Sequence, residues 1–166
     1  MTGGGQRGGV HDAALAADDA FERESDEADD GEGGYRVTTA TFDATVVPGP
    51  DRYRVVVEAP TIGAAVVGEE VADVVVEGWY ETLERRLSAL GDVTTTDDVA
   101  EPTVRRAGET VVVEVTYDPS ADAAGDALAL VNFVEGTWFQ GLIPGYAYEE
   151  RVAAAREAAR QRGGTD

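Results

Sequence analysis

Few residues of this chain are of a type and spacing that could do chemistry. Histidine occurs once, at His11, and the serines are Ser25, Ser88 and Ser120. None of them lies in a Gly-x-Ser-x-Gly turn, so an activated-serine triad has no footing. Cysteine is absent, which excludes disulfides, thiolate chemistry and cysteine-based zinc sites. No Gly-Lys phosphate loop is present, and no Gly-x-Gly-x-x-Gly follows a predicted strand. Carboxylates abound, and Glu69-Glu70, Asp97-Asp98 and Glu149-Glu150 could each touch a hard cation. None has an ordered ligand spacing, so they read as a solvated face. A pair of carboxylates on opposing elements needs no motif, so carboxylate-based hydrolysis stays open. No catalytic residue, metal site or cofactor is assigned.

Aromatic residues offer more. Val76-Glu77-Gly78-Trp79-Tyr80 is echoed by Val134-Glu135-Gly136-Thr137-Trp138-Phe139. Each stretch has a helical pattern with a glycine inside it, at a cost of about 1 kcal/mol against alanine. A packing reason for the glycine, such as close approach of two elements, is the ordinary explanation. The aromatics then either pack in the core or line a groove for a ligand. Gly141-Leu142-Ile143-Pro144-Gly145-Tyr146-Ala147-Tyr148 combines permissive glycines with two tyrosines outside regular structure, either as a binding loop or as a turn capping the core. The candidate binding residues are Trp79, Tyr80, Trp138, Phe139, Tyr146 and Tyr148.

The elements that must position them follow from periodicity. Val71, Val74, Val75, Trp79, Leu83, Leu87 and Leu90 recur at steps of three and four, which predicts a helix over Gly68 to Leu90 stopped by Gly91. Ala123, Ala127, Leu130, Val131, Val134 and Trp138 predict a second helix over Asp122 to Gln140. Period-two alternation from Tyr35 to Val47 and from Tyr53 to Ala59, turning at Pro48-Gly49-Pro50-Asp51, predicts a hairpin or meander. Thr103 to Arg106 and Thr110 to Tyr117 form a second hairpin, and Thr61 to Val67 reads as a loop. Strands joined by hairpins and backed by helices imply an α+β fold, with an antiparallel sheet of about five strands and helices on one face.

The expected organisation is in three parts. Residues 1–34 form a Gly-rich and acidic N-terminal segment, partly disordered, with one short helix over Val10 to Arg23. Residues 35–148 form the α+β domain. Residues 149–166 form an Ala- and Arg-rich helix with a frayed tail.

Thirty-three acids face 13 bases, for a net charge of −20, and every base is arginine. Together with the scarcity of Ile and Asn, this bias is similar to that of halophilic archaea with a molar-salt cytoplasm. At about 1 M salt the Debye length is roughly 3 Å, so such a charge repels itself only weakly. Nucleic-acid binding is not expected, because bases cluster only as Arg85-Arg86, Arg105-Arg106 and the arginines of the tail. No apolar run approaches the roughly 18 residues that span a bilayer, and no signal-peptide segment is visible. The expected setting is the cytoplasm.

The runs Tyr35 to Val46, Gly78 to Leu87 and Phe133 to Tyr146 resemble an uncharacterised family of small haloarchaeal proteins, a domain of unknown function, over roughly Val10 to Tyr148. That resemblance implies no activity, cofactor or catalytic residue. The order of elements is similar to the secretion-chaperone-like fold, whose members bind unfolded or extended protein segments and often dimerise. The sequence therefore favours a protein-interaction or chaperone-like module, with a protein partner or a homodimer. A small-molecule-binding or carboxylate-based hydrolytic domain is the alternative.

Overall fold

The computed structural model describes residues 15–23 and 34–163. Alternation of apolar and polar residues builds its sheet. Strands β1 (Phe21–Arg23), β2 (Tyr35–Val37), β3 (Asp43–Pro48) and β4 (Tyr53–Pro60) pair antiparallel in chain order. In β4, Tyr53, Val55, Val57 and Ala59 turn inward, while Arg54 and Glu58 turn to solvent. The β3–β4 turn needs its glycine: a Cβ on Gly49 would stand 2.6 Å from the Arg52 carbonyl oxygen, to which the Gly49 amide donates.

The chain returns to the sheet through β6 (Thr103–Ala107) and β7 (Thr110–Tyr117), joined by a turn at Gly108, whose φ of +64° suits glycine. Strand β7 pairs with β4 along its whole length, Tyr53 opposite Tyr117 and Val57 opposite Val113, giving the order β1-β2-β3-β4-β7-β6. Helices α2 (Asp73–Leu87) and α3 (Ala123–Gln140) pack on the inner face. Helix α3 starts at Asp122, whose carboxylate accepts the Gly125 amide, and Tyr117 ties β7 to it by donating to the Ala123 carbonyl at 2.6 Å. Burial holds the Tyr117 hydroxyl above its ordinary pKa, with Tyr53, Asp126 and Asp122 adding to the effect.

The α+β expectation holds, with six strands in the main sheet where about five were predicted. The added strand is β1, at the end of the predicted Val10 to Arg23 helix. Residues 15–17 are helical, but Asp18 then accepts the Ala20 amide and Phe21 enters the core opposite Val37. Burial of Phe21 against β2 outweighs the helical propensity of the alanines. Residues 10–14 of that helix, the Gly-rich N-terminus and most of the acidic run lie outside the described residues.

Helix α2 is shorter than its predicted span. Gly68, at φ +88°, turns the chain first, and the buried stripe is Val76, Trp79, Leu83 and Leu87. Val74 was placed on that stripe but is 75% exposed, because two residues advance about 200° around a helix from Val76. The Thr61 to Val67 loop is instead a short helix α1 (Ile62–Ala65) followed by β5 (Val66–Val67). Strand β5 pairs with β8 (Ala147–Tyr148), and the Glu149 amide donates to the Ala65 carbonyl at 2.8 Å. This anchorage launches helix α4 (Glu150–Gly163), which buries Val152 completely.

Candidate functional site

Helices α3 and α4 both contribute residues to the lining of one cleft. One face of α3 presents Asn132, Glu135, Gly136 and Phe139, spaced i, i+3, i+4 and i+7, and α4 answers with Ala155, Arg156 and Ala159. Thr41 and Leu142 complete the walls of a cleft of about 570 Å³. That volume falls within the roughly 300–1,000 Å³ usual for small-molecule sites.

The cleft is built around Glu135, only 8% exposed. Its Oε2 accepts the Phe42 amide at 2.7 Å and its Oε1 the Thr41 amide at 3.1 Å, so the carboxylate caps the backbone entering β3. Burial raises its pKa; the two amides and the nearby Arg151 guanidinium oppose that rise, and burial outweighs them. Each carboxylate oxygen keeps a lone pair beyond the one used by the backbone. Beneath it, Phe42 stacks on Phe139 at 5.8 Å and meets Trp138 edge-on at 4.9 Å, and the Arg151 guanidinium lies over Phe42 at 5.0 Å.

The six aromatic candidates fall in different places. Trp138 is 1% exposed and donates through Nε1 to the Pro60 carbonyl at 2.8 Å. Trp79, 7% exposed, meets Trp138 edge-on at 6.1 Å. Its buried Nε1 has no hydrogen-bond partner among the described residues and faces Gly141. Tyr148 is buried, and its hydroxyl accepts the Ile143 amide and donates to the Ile143 carbonyl, closing the loop. Half-buried Tyr80 donates to the Val104 carbonyl, and burial and Glu84 raise its pKa against the pull of Arg106. Tyr146 packs half-buried on the core. Of the six, Phe139 lines the cleft.

The predicted packing reason for the helical glycines does not hold. A Cβ on Gly78 or on Gly136 would meet nothing within 4 Å, and nothing in the structure explains Gly78. Gly141 is the tight position: a Cβ there would stand 2.7 Å from Trp79 Nε1.

Sequence reasoning missed Glu135, Asn132, Arg156 and Thr41 as a group. Glu135 carried a signal, because an acid between Val131, Val134 and Trp138 interrupts an apolar stripe at helical spacing. Arg156 carried none, since the register of α4 against α3 is set by β8, a strand of two residues.

Other clefts are less suited. One of about 620 Å³ near Thr61 and Val76 is rimmed by Glu69, Glu70, Asp73 and Glu109, with Arg106 as its cation. A smaller one of about 320 Å³ lies between Glu81, Arg85 and Glu101. Asp126, 1% exposed, is spent on structure: its oxygens accept the Thr95 and Thr96 amides and the Thr95 hydroxyl. Among the described residues, no group of three His, Cys, Asp or Glu is placed to hold a metal ion, and no helix is long and apolar enough to cross a membrane.

Fold and site together define an α+β domain with a two-helix cleft above an antiparallel sheet. The chain belongs to a family of unknown function, DUF5813, whose family model matches residues 16–158. The match runs past Tyr148 into α4 and takes in the residues that line the cleft except Ala159. No curated protein and no solved structure matches the chain.

Proposed function

We propose that this domain binds a small organic molecule in the cleft between α3 and α4. The observation that carries this reading is Glu135, an ionisable side chain withdrawn from solvent that lines an open cleft with no salt bridge among the described residues. A buried carboxylate with lone pairs to spare, beside Phe139 and Leu142, combines one polar anchor with apolar walls.

Exposure of the large apolar residues favours this reading over protein interaction. Among the described residues those exposed are Val67, Val74 and Val93, which lie apart in the chain on different elements. Trp79, Trp138 and Tyr148 face the interior, so the aromatic surface expected for a protein partner is largely spent on the core. A two-carboxylate hydrolytic site draws less support, because Glu135 is the one acid among the residues lining the cleft. The setting we propose is a salt-rich cytoplasm, on the strength of the net charge of −20.

The test is equilibrium dialysis of the protein against a metabolite extract, with mass spectrometry of what is retained. Gly136→Leu is the control, since leucine suits a helix and its side chain enters the cleft. A compound retained by the wild type and lost in Gly136→Leu supports the cleft. Retention of the same compounds by both proteins, or of none by either, contradicts it.

A further inference from the structure

The cleft carries both signs of charge, and the two do not neutralise each other. Glu135 reaches it from α3, each oxygen held by one backbone amide. Arg156 reaches it from α4, half-buried, with no hydrogen bond or ion pair among the described residues. The register of α4 explains this isolation. The neighbours of Arg156 at three and four residues are Val152, Ala153, Ala159 and Arg160, so no acid of its own helix stands opposite it. The adjacent Glu157 bonds Arg160 and Gln161 instead. Phe139, Leu142, Ala155 and Ala159 supply apolar walls, while Asn132 and Thr41 are the other polar residues of the lining.

Arg151 acts on Glu135 without a salt bridge, so a ligand of one charge would satisfy one of the two cleft groups and leave the other with no direct partner. A neutral apolar ligand would desolvate both with no return. We infer that the ligand is a small zwitterion with an apolar body, its ammonium group on Glu135 and its carboxylate on Arg156. An apolar amino acid and a short apolar peptide share this chemistry and differ in the separation of their charges. The inference rests on the small-molecule reading of the same cleft. It adds what kind of molecule binds and which side chain holds each end. A guanidinium–carboxylate contact is geometrically specific and among the stronger hydrogen bonds.

Isothermal titration calorimetry at neutral pH tests it with four probes: L-leucine, L-leucyl-L-leucine, L-leucinamide, which lacks the carboxylate, and 4-methylpentanoate, which lacks the amine. At least one zwitterion is expected to bind about tenfold or more tighter than either singly charged probe. Whether L-leucine or the dipeptide binds tighter identifies the source as amino acid or peptide. Arg156→Gln, on a half-buried helix position, keeps the fold and is expected to weaken the zwitterion by about tenfold while leaving L-leucinamide unchanged.

A zwitterion that binds no tighter than the singly charged probes, or is indifferent to Arg156→Gln, overturns the inference. So does failure of both zwitterions to bind. If singly charged probes bind and Gly136→Leu abolishes that binding, the cleft stands and only the ligand class falls. If no probe binds and dialysis also retains nothing sensitive to Gly136→Leu, both fall.

Discussion

Replacing Glu135 by alanine removes the acceptor for two backbone amides at once. The Phe42 amide is buried and bonds at 2.7 Å; the Thr41 amide is only partly buried and bonds at 3.1 Å. Hydrogen bonds to a charged group contribute about 1.5–3 kcal/mol each, so the gross loss is about 3–6 kcal/mol. Two effects offset it. Water can reach the Thr41 amide in the variant, and the cost of burying a carboxylate, visible in the raised pKa, disappears. The expected net loss is about 2–4 kcal/mol, measured by urea unfolding at neutral pH. A loss below about 0.5 kcal/mol, the size of an ordinary surface substitution, would refute the idea that this carboxylate holds the start of β3.

The pH dependence carries a second check on the same group. Burial raises the Glu135 pKa above 4.5, so between the unfolded and folded values the native state holds more protons than the unfolded chain. The contribution of this group is therefore full below the unfolded pKa and is lost as pH rises through the folded one. Because other acids titrate in the same range, the quantity to follow is the stability of wild type minus that of Glu135→Gln. That difference is expected to fall as pH rises from about 4.5, and a rise would contradict the burial argument.

Three further outcomes follow from local geometry and charge. Gly141→Ala is expected to lose about 1–3 kcal/mol by thermal unfolding, because its Cβ would press on the buried Trp79 ring, whereas Gly78→Ala, open to solvent, is expected to gain about 0.5–1 kcal/mol. Asp126→Ala is expected to speed hydrogen exchange at the Thr95 and Thr96 amides far more than in β4 and β7, since those two amides lose their acceptor. Raising KCl from about 0.1 to about 2 M is expected to increase the urea midpoint, because a net charge of −20 is then screened over a few ångströms; a flat or falling midpoint would contradict salt adaptation.

Periodicity made the frame of this protein legible before its structure. The alternation in Tyr53 to Ala59 and Val111 to Tyr117 requires a sheet with one buried face, and those two strands do pair inside it. Every residue of the predicted Ala123 to Trp138 stripe is buried in α3, and Ala124, Asp126, Glu135 and Thr137 are buried beside it. What was not legible depends on contacts distant in the chain. Strand β1 exists because Phe21 finds Val37, not because its own sequence is extended. The two-residue pairing of β5 with β8 leaves no pattern to read, yet it sets where α4 lies and so whether a cleft exists. The candidate site followed the same division. Aromatics identified by type and spacing proved to be largely core, while Glu135 and Arg156 lie about twenty residues apart and meet only through that anchorage.

Amide chemical-shift mapping tests the central claim most directly. The ¹⁵N-labelled protein is titrated with a mixture of small organic probes, and the shifted amides are located on the fold. Shifts are expected to concentrate at Thr41, Asn132, Glu135, Gly136, Phe139 and Arg156, and to vanish in Gly136→Leu. Shifts gathered instead around Thr61 and Glu109 or around Glu81 and Glu101, or absent altogether, would contradict a binding site between α3 and α4.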